Sequence, residues 1–142
     1  MMDPTGVHWL AAKHVLRYLK GMTYYGLWFR QVNGVRLEGF IDAKWARSST
    51  NQQSTSSCVF NIRSTDISWF NRKQRSIALS STETEYIAVI LATCETIWMG
   101  KLFMGFFRQE LEPTVIYCNN QSCIKLFENP EFHDRSKHIK IR

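Results

Sequence analysis

The stretch Ser80-Ser81-Thr82-Glu83-Thr84-Glu85-Tyr86 leads into IAVILATCETIWMGKLFMGFF (residues 87–107), a run with no proline and with glycine only at 100 and 105. Ser80 with Glu83 three residues on fits a capping box: the Ser80 side chain accepts from the Glu83 amide and the Glu83 carboxylate reaches back to the Ser80 backbone N–H. The spacing predicts one long helix from Ser80 to about Phe107. Beyond it Pro113 marks a boundary, and Thr114 to Cys118 reads as a short β-branched strand. Asn119-Asn120 then opens a short helix, Gln121 to Glu128, which Asn129-Pro130 stops.

Upstream of the long helix the pattern turns to strands. Tyr24 to Arg30 is aromatic and strand-like, Asn33-Gly34 reads as a tight turn, and Val35 to Ala43 alternates Val35, Leu37, Gly39 and Ile41 against other residues. A polar loop is expected over Arg47–Ser57, followed by strands at Cys58 to Ile62 and Ile67 to Phe70. In front of all of these, Val7 to Lys20 carries apolar residues at helical spacing and ends at Gly21, an amphipathic helix. Several strands, a crossover helix and a further strand make a mixed sheet with helical cover, so the fold class is α/β.

A length of 142 residues allows one domain, or one with a small appendage. No uninterrupted apolar run approaches the roughly 18 residues of a membrane span, so no membrane association is expected. The N-terminal sequence carries no recognisable secretory signal, which points to an intracellular chain. Eighteen Lys and Arg against twelve Asp and Glu give +6, which favours an anionic partner. Arg72, Lys73 and Arg75 cluster in one stretch, and Arg135, Lys137, Lys140 and Arg142 crowd the C-terminal end. Cys58, Cys94, Cys118 and Cys123 form no CxxC pair and read as reduced core residues rather than zinc ligands.

Ligands of an open α/β sheet gather at the carboxyl ends of its strands. Asp42 ends a strand in GFIDAKW, Glu85 lies in the first turns of the long helix, and Asn119 ends the strand VIYCN. Two carboxylates converging there suit a hard cation such as Mg²⁺, which prefers oxygen ligands. A strand-end Asp is also a common turn former, and Glu83 is accounted for by capping.

GFIDAKWA, QSTSS, ISWFNRKQ, ALSSTETEYIAV, VIYCNNQSCIKL and NPEFHDRSKHIKIR occur in one order along the chain. Together they resemble the ribonuclease H segment of copia-type (Ty1/copia) retrotransposon polyproteins. HWLAAKHVLRYLKG and YGLWF resemble the stretch that joins the reverse transcriptase to it. The resemblance implies two parts: a polymerase-side helix and strand (residues 1–34) and a ribonuclease H-like domain (residues 35–142) lacking its last strand and helix. It also implies cleavage of the RNA strand of an RNA–DNA hybrid by a carboxylate cluster holding two Mg²⁺ ions. On that resemblance Asp42 matches the first catalytic Asp, Glu85 matches the catalytic Glu, and Arg72, Lys73 and Arg75 are placed to meet phosphates. Asn119 stands where the family shows Asp, and Lys140 where it is usually acidic.

The expectation is therefore a degenerate, non-catalytic domain that binds nucleic acid, or a protein partner at an exposed sheet edge, with Mg²⁺ weak or absent. One alternative is a weak Mg²⁺-dependent endoribonuclease, its missing carboxylate supplied by another chain or by Asp134. The other is reuse as a secreted RxLR-type effector that suppresses plant cell death, as described for short chains of this kind. Arg17-Tyr18-Leu19-Lys20 falls one residue short of that tetrapeptide.

Overall fold

The computed structural model describes residues 3–29, 34–45 and 52–129. Arg135, Lys137, Lys140, Arg142, Asp134 and residues 47–51 of the expected polar loop lie outside the described residues. The chain divides into two compact units, Met1–Arg30 and Gln31–Arg142.

In the first unit, α1 (Gly6–Gly21) is the expected amphipathic helix and contains no buried residue. The strand expected from Tyr24 does not form over residues 24–29. Aromatic residues favour strands only where a partner strand covers them, and Tyr24, at 98% exposure, has no such cover.

The second unit is built on four strands: β1 (Leu37–Lys44), β2 (Thr55–Ile62), β3 (Thr65–Lys73) and β4 (Val115–Tyr117). Their order is β3-β2-β1-β4, with β1–β2 and β2–β3 antiparallel and β1–β4 parallel. The crossover between β1 and β4 runs through α2 (Ser81–Phe107), and α3 (Gln121–Glu128) follows β4. The result is a mixed α/β architecture with helical cover. β2 and β3 extend further than the apolar runs predict, because Thr55, Ser57, Asp66, Asn71 and Arg72 take positions in the ladders despite their polarity.

Alternation along the strands separates two faces. Leu37 and Ile41 of β1, Cys58 and Phe60 of β2 and Phe70 of β3 are buried with Ala88, Ala92 and Met99 of α2. Gly39 shares this face, and a Cβ there would sit 2.9 Å from the Phe60 ring, so the close approach admits only glycine. Of the four cysteines, Cys58 and Cys123 are buried as expected, whereas Cys94 is exposed on α2.

Ser80 caps α2 as predicted, its Oγ accepting from the Glu83 N–H at 3.2 Å. Glu83 reaches one residue further back than the capping box requires and accepts from the Leu79 N–H at 2.7 Å. By length and composition α2 is long and apolar enough to cross a membrane, although Thr93, Glu95, Thr96 and Lys101 interrupt its apolar residues. Its Ala88, Ala92 and Met99 positions pack on the sheet.

Candidate functional site

The carboxyl ends of β1, β3 and β4 lie at one rim of the sheet, because β1 and β3 both run antiparallel to β2 and β4 runs parallel to β1. Asp42 is exposed near the end of β1. The parallel β1–β4 ladder closes with Phe40 opposite Tyr117, and Asn119 follows two residues past the end of β4. Glu85 reaches the same rim from the second turn of α2. Asp42 and Glu85 are thus brought together, and Asn119 stands just past the carboxyl end of the strand beside β1.

Their environments differ. Asp42 and Asn119 are exposed, whereas Glu85 is 6% exposed and its Oε2 has no hydrogen-bond partner among the described residues. Burial holds the Glu85 carboxyl above the ordinary carboxylate range; hydrogen bonding from the Ala43 backbone partly offsets this, and the Asp42 carboxylate raises it further. Beneath it, the Cys123 thiol of α3 is pushed up to about 12 by burial first, then by neighbouring Cys118 and by Glu85. Asn120 fixes this corner by capping α3, its Oδ1 accepting from the Cys123 N–H at 2.9 Å.

This donor set does not fit a pair of Mg²⁺ ions. It offers one exposed carboxylate, one buried carboxyl biased toward its neutral form, and the uncharged amide of Asn119. Among the described residues no three His, Cys, Asp or Glu side chains come together as a metal site.

Arg72 and Lys73 close β3, and Arg75 follows two residues later; all three are exposed at the rim that carries Asp42. The Arg72 guanidinium lies over the Phe70 ring at 5.1 Å, which holds its stem while leaving the charge in solvent.

A buried polar network supports the rim, and it draws in Ser54 and Ser56, which the sequence pattern assigns to a solvated loop. Both are fully buried. Gln74 donates from Nε2 to Ser56 Oγ at 2.7 Å and to the Thr84 carbonyl at 2.9 Å, and Thr84 Oγ1 bonds Ser54 Oγ at 3.3 Å. These bonds tie β2 and the end of β3 to the first turn of α2, one residue before Glu85. The signal in the sequence is a period of two running through Ser54, Ser56, Cys58 and Phe60. Trp45 adds a further tie, its indole N–H donating to the Ala78 carbonyl at 3.0 Å.

The chain is 38% identical over 141 residues to the retrovirus-related Pol polyprotein from transposon RE2 of Arabidopsis thaliana, matching 99% of this chain and 10% of that protein. It is 37% identical over 142 residues to the corresponding polyprotein from transposon TNT 1-94 of Nicotiana tabacum, again 99% of this chain and 10% of the polyprotein. The chain therefore spans about a tenth of the length of these curated relatives. It is also 44% identical over 97 residues to secreted RxLR effector protein 161 of Plasmopara viticola, 68% of either chain. No family model and no solved structure matches it.

The raised Glu85 carboxyl gives a pH signature. Glu85 holds its proton more tightly folded than unfolded, so stability falls as pH rises from the ordinary carboxylate range through the raised value. In chelator-containing buffer, Glu85→Gln is expected to raise the Tm at pH 7 and to leave it nearly unchanged at pH 4. Calorimetry showing equal shifts at both pH values would mean that the carboxyl is not perturbed by its surroundings.

Proposed function

We propose that this chain, which belongs to the copia-type retrovirus-related Pol family, is a ribonuclease H-like segment that binds RNA–DNA hybrids without cleaving them. Its retrotransposon origin rests on polyprotein relatives at 36–38% identity across the chain. Asn119 is the observation that carries the non-cleaving role. Asn119, just past the end of β4, is an amide that cannot balance a divalent cation, and burial shifts Glu85 toward its neutral form. Two unit charges 4 Å apart attract by about 4 kcal/mol at an effective dielectric of 20. Forfeiting one such attraction weakens an ion by far more than tenfold, since about 1.4 kcal/mol is a factor of ten. Binding does not depend on that charge. Arg72, Lys73 and Arg75 present three cations to phosphates at the same rim, and the chain carries +6.

A labelled RNA–DNA hybrid tests both halves. No cleavage is expected with Mg²⁺ or Mn²⁺, and log affinity should fall linearly with log salt as counterions are released. Replacing Arg72, Lys73 and Arg75 by Gln should flatten that slope by about 0.9 for each phosphate that is no longer neutralised. Cleavage that Asp42→Ala abolishes, or binding insensitive to salt, would overturn the proposal.

The likeness to a secreted RxLR effector favours a second reading, reuse as a secreted RxLR-type effector, whose expected activity is suppression of plant host cell death. Expression of the chain in leaf tissue challenged with several elicitors checks it. The second reading expects reduced cell death, and full cell death with every elicitor would remove it.

A further inference from the structure

Gln74 stands inside the basic stretch Arg72-Lys73-Gln74-Arg75 and is the one member of it that is buried. It is 2% exposed, whereas the three cations around it are exposed. Burying a long polar side chain costs hydration and rotamer freedom, so such a residue needs partners. Gln74 has three. Its backbone N–H donates to the Ser54 carbonyl at 2.8 Å. Its Nε2 donates to Ser56 Oγ at 2.7 Å and to the Thr84 carbonyl at 2.9 Å, which uses both hydrogens of the amide nitrogen. One residue is thereby fastened to the start of β2 and to the first turn of α2.

What these bonds secure is the end of β3. Among the described residues β3 pairs only with β2, and the last pairs of an edge strand open at little cost. Those last pairs are Ser56 with Arg72 and Thr55 with Lys73. Gln74 closes the ladder directly after them. The chain is caught again a few residues on, where the Trp45 indole N–H donates to the Ala78 carbonyl at 3.0 Å and the Leu79 N–H donates to Glu83. Lys73 thus immediately precedes one anchor, and Arg75 lies between two.

We propose that Gln74 is a positioning residue for phosphate binding, its buried amide fixing the backbone from which Lys73 and Arg75 reach the nucleic acid. A cation on a loose segment loses main-chain and side-chain freedom together when it grips a phosphate. A backbone already fixed removes the main-chain share of that cost before binding begins. Gln74 carries no charge and is closed off from solvent, so it acts on a phosphate only through its neighbours. The inference rests on the hybrid reading for its ligand and adds the residue that shapes the site. A purely structural role for Gln74 makes a different prediction, because a general loss of fold weakens binding whichever cations are present.

A double-mutant cycle separates the two. Its four chains are the natural sequence, Gln74→Met, Lys73→Gln with Arg75→Gln, and all three substitutions together. Each is titrated with a labelled RNA–DNA hybrid and with a DNA duplex of the same sequence, at low salt, where the remaining positive charge keeps binding measurable. Methionine keeps the length of the side chain and none of its hydrogen bonds. Gln74→Met should weaken binding roughly 5-fold in the natural sequence and leave it unchanged once both cations are replaced. Equal weakening in both backgrounds, or none in either, would overturn the proposal. Ser56→Ala removes one acceptor of the same amide and should show the same dependence on Lys73 and Arg75 in smaller measure, which decides the matter if Gln74→Met does not fold. Binding of the duplex without the hybrid would remove the hybrid reading, and the cycle on the duplex would still decide this one. A natural sequence that binds neither would overturn both.

Discussion

The architecture turns on how closely α2 lies against the sheet. Glu85, Ala88, Ala92 and Met99 fall at helical spacings of three, four and seven residues and so share one stripe of α2, and all four are buried. At the middle of that stripe the side chains are methyl groups, and both alanines are fully buried. Larger residues there would hold the helix off Leu37, Ile41 and Phe60. Because the stripe packs, its first member is carried under the end of β1 with it. A carboxyl is thereby placed beside Asp42 and stripped of water by the same contact that holds the fold together. The hydroxyl and amide network of Ser54, Ser56, Gln74 and Thr84 locks this end of the helix.

Much of this is legible in the sequence, for reasons specific to each element. The limits of α2 are written in local chemistry: a serine cap with a glutamate three residues on, then a long run without proline. The same holds for α3, opened by Asn120 and stopped at Asn129. Asp42 and Glu85 can be set at one rim because a strand end and the start of a crossover helix meet there in α/β topology. Other features depend on tertiary partners. Ser54 and Ser56 read as loop because serine favours turns, yet Ser54 meets Thr84 of α2 and Ser56 meets Gln74 just past β3. The aromatic run from Tyr24 reads as strand on propensity alone and finds no ladder. That Glu85 is the inward-facing carboxylate follows once Glu83 is taken by the cap, but how deeply it is buried depends on how closely two alanines let the helix settle.

At the rim, burial and the charge of Asp42 act on Glu85 in the same direction. Burial and the neighbouring Asp42 both favour a protonated Glu85, and only a cation between the two carboxyls would reverse that preference. An aspartate at position 119 would add the charge to hold one, whereas the asparagine leaves the cation without a third anionic partner. Around this centre Arg72 and Lys73 at the end of β3 and Arg75 just beyond it remain exposed, and the hybrid-binding role proposed for the chain draws on them without needing a metal.

The proposed loss of cleavage depends on a deficit of negative charge at the rim that carries Asp42 and Glu85. Isothermal titration of Mg²⁺ into the chain and into its Asn119→Asp variant measures that deficit directly. The account predicts that the variant binds Mg²⁺ more than tenfold tighter than the natural sequence, which takes up at most one ion weakly. Two ions bound by the natural sequence, with no gain from the aspartate, would contradict it.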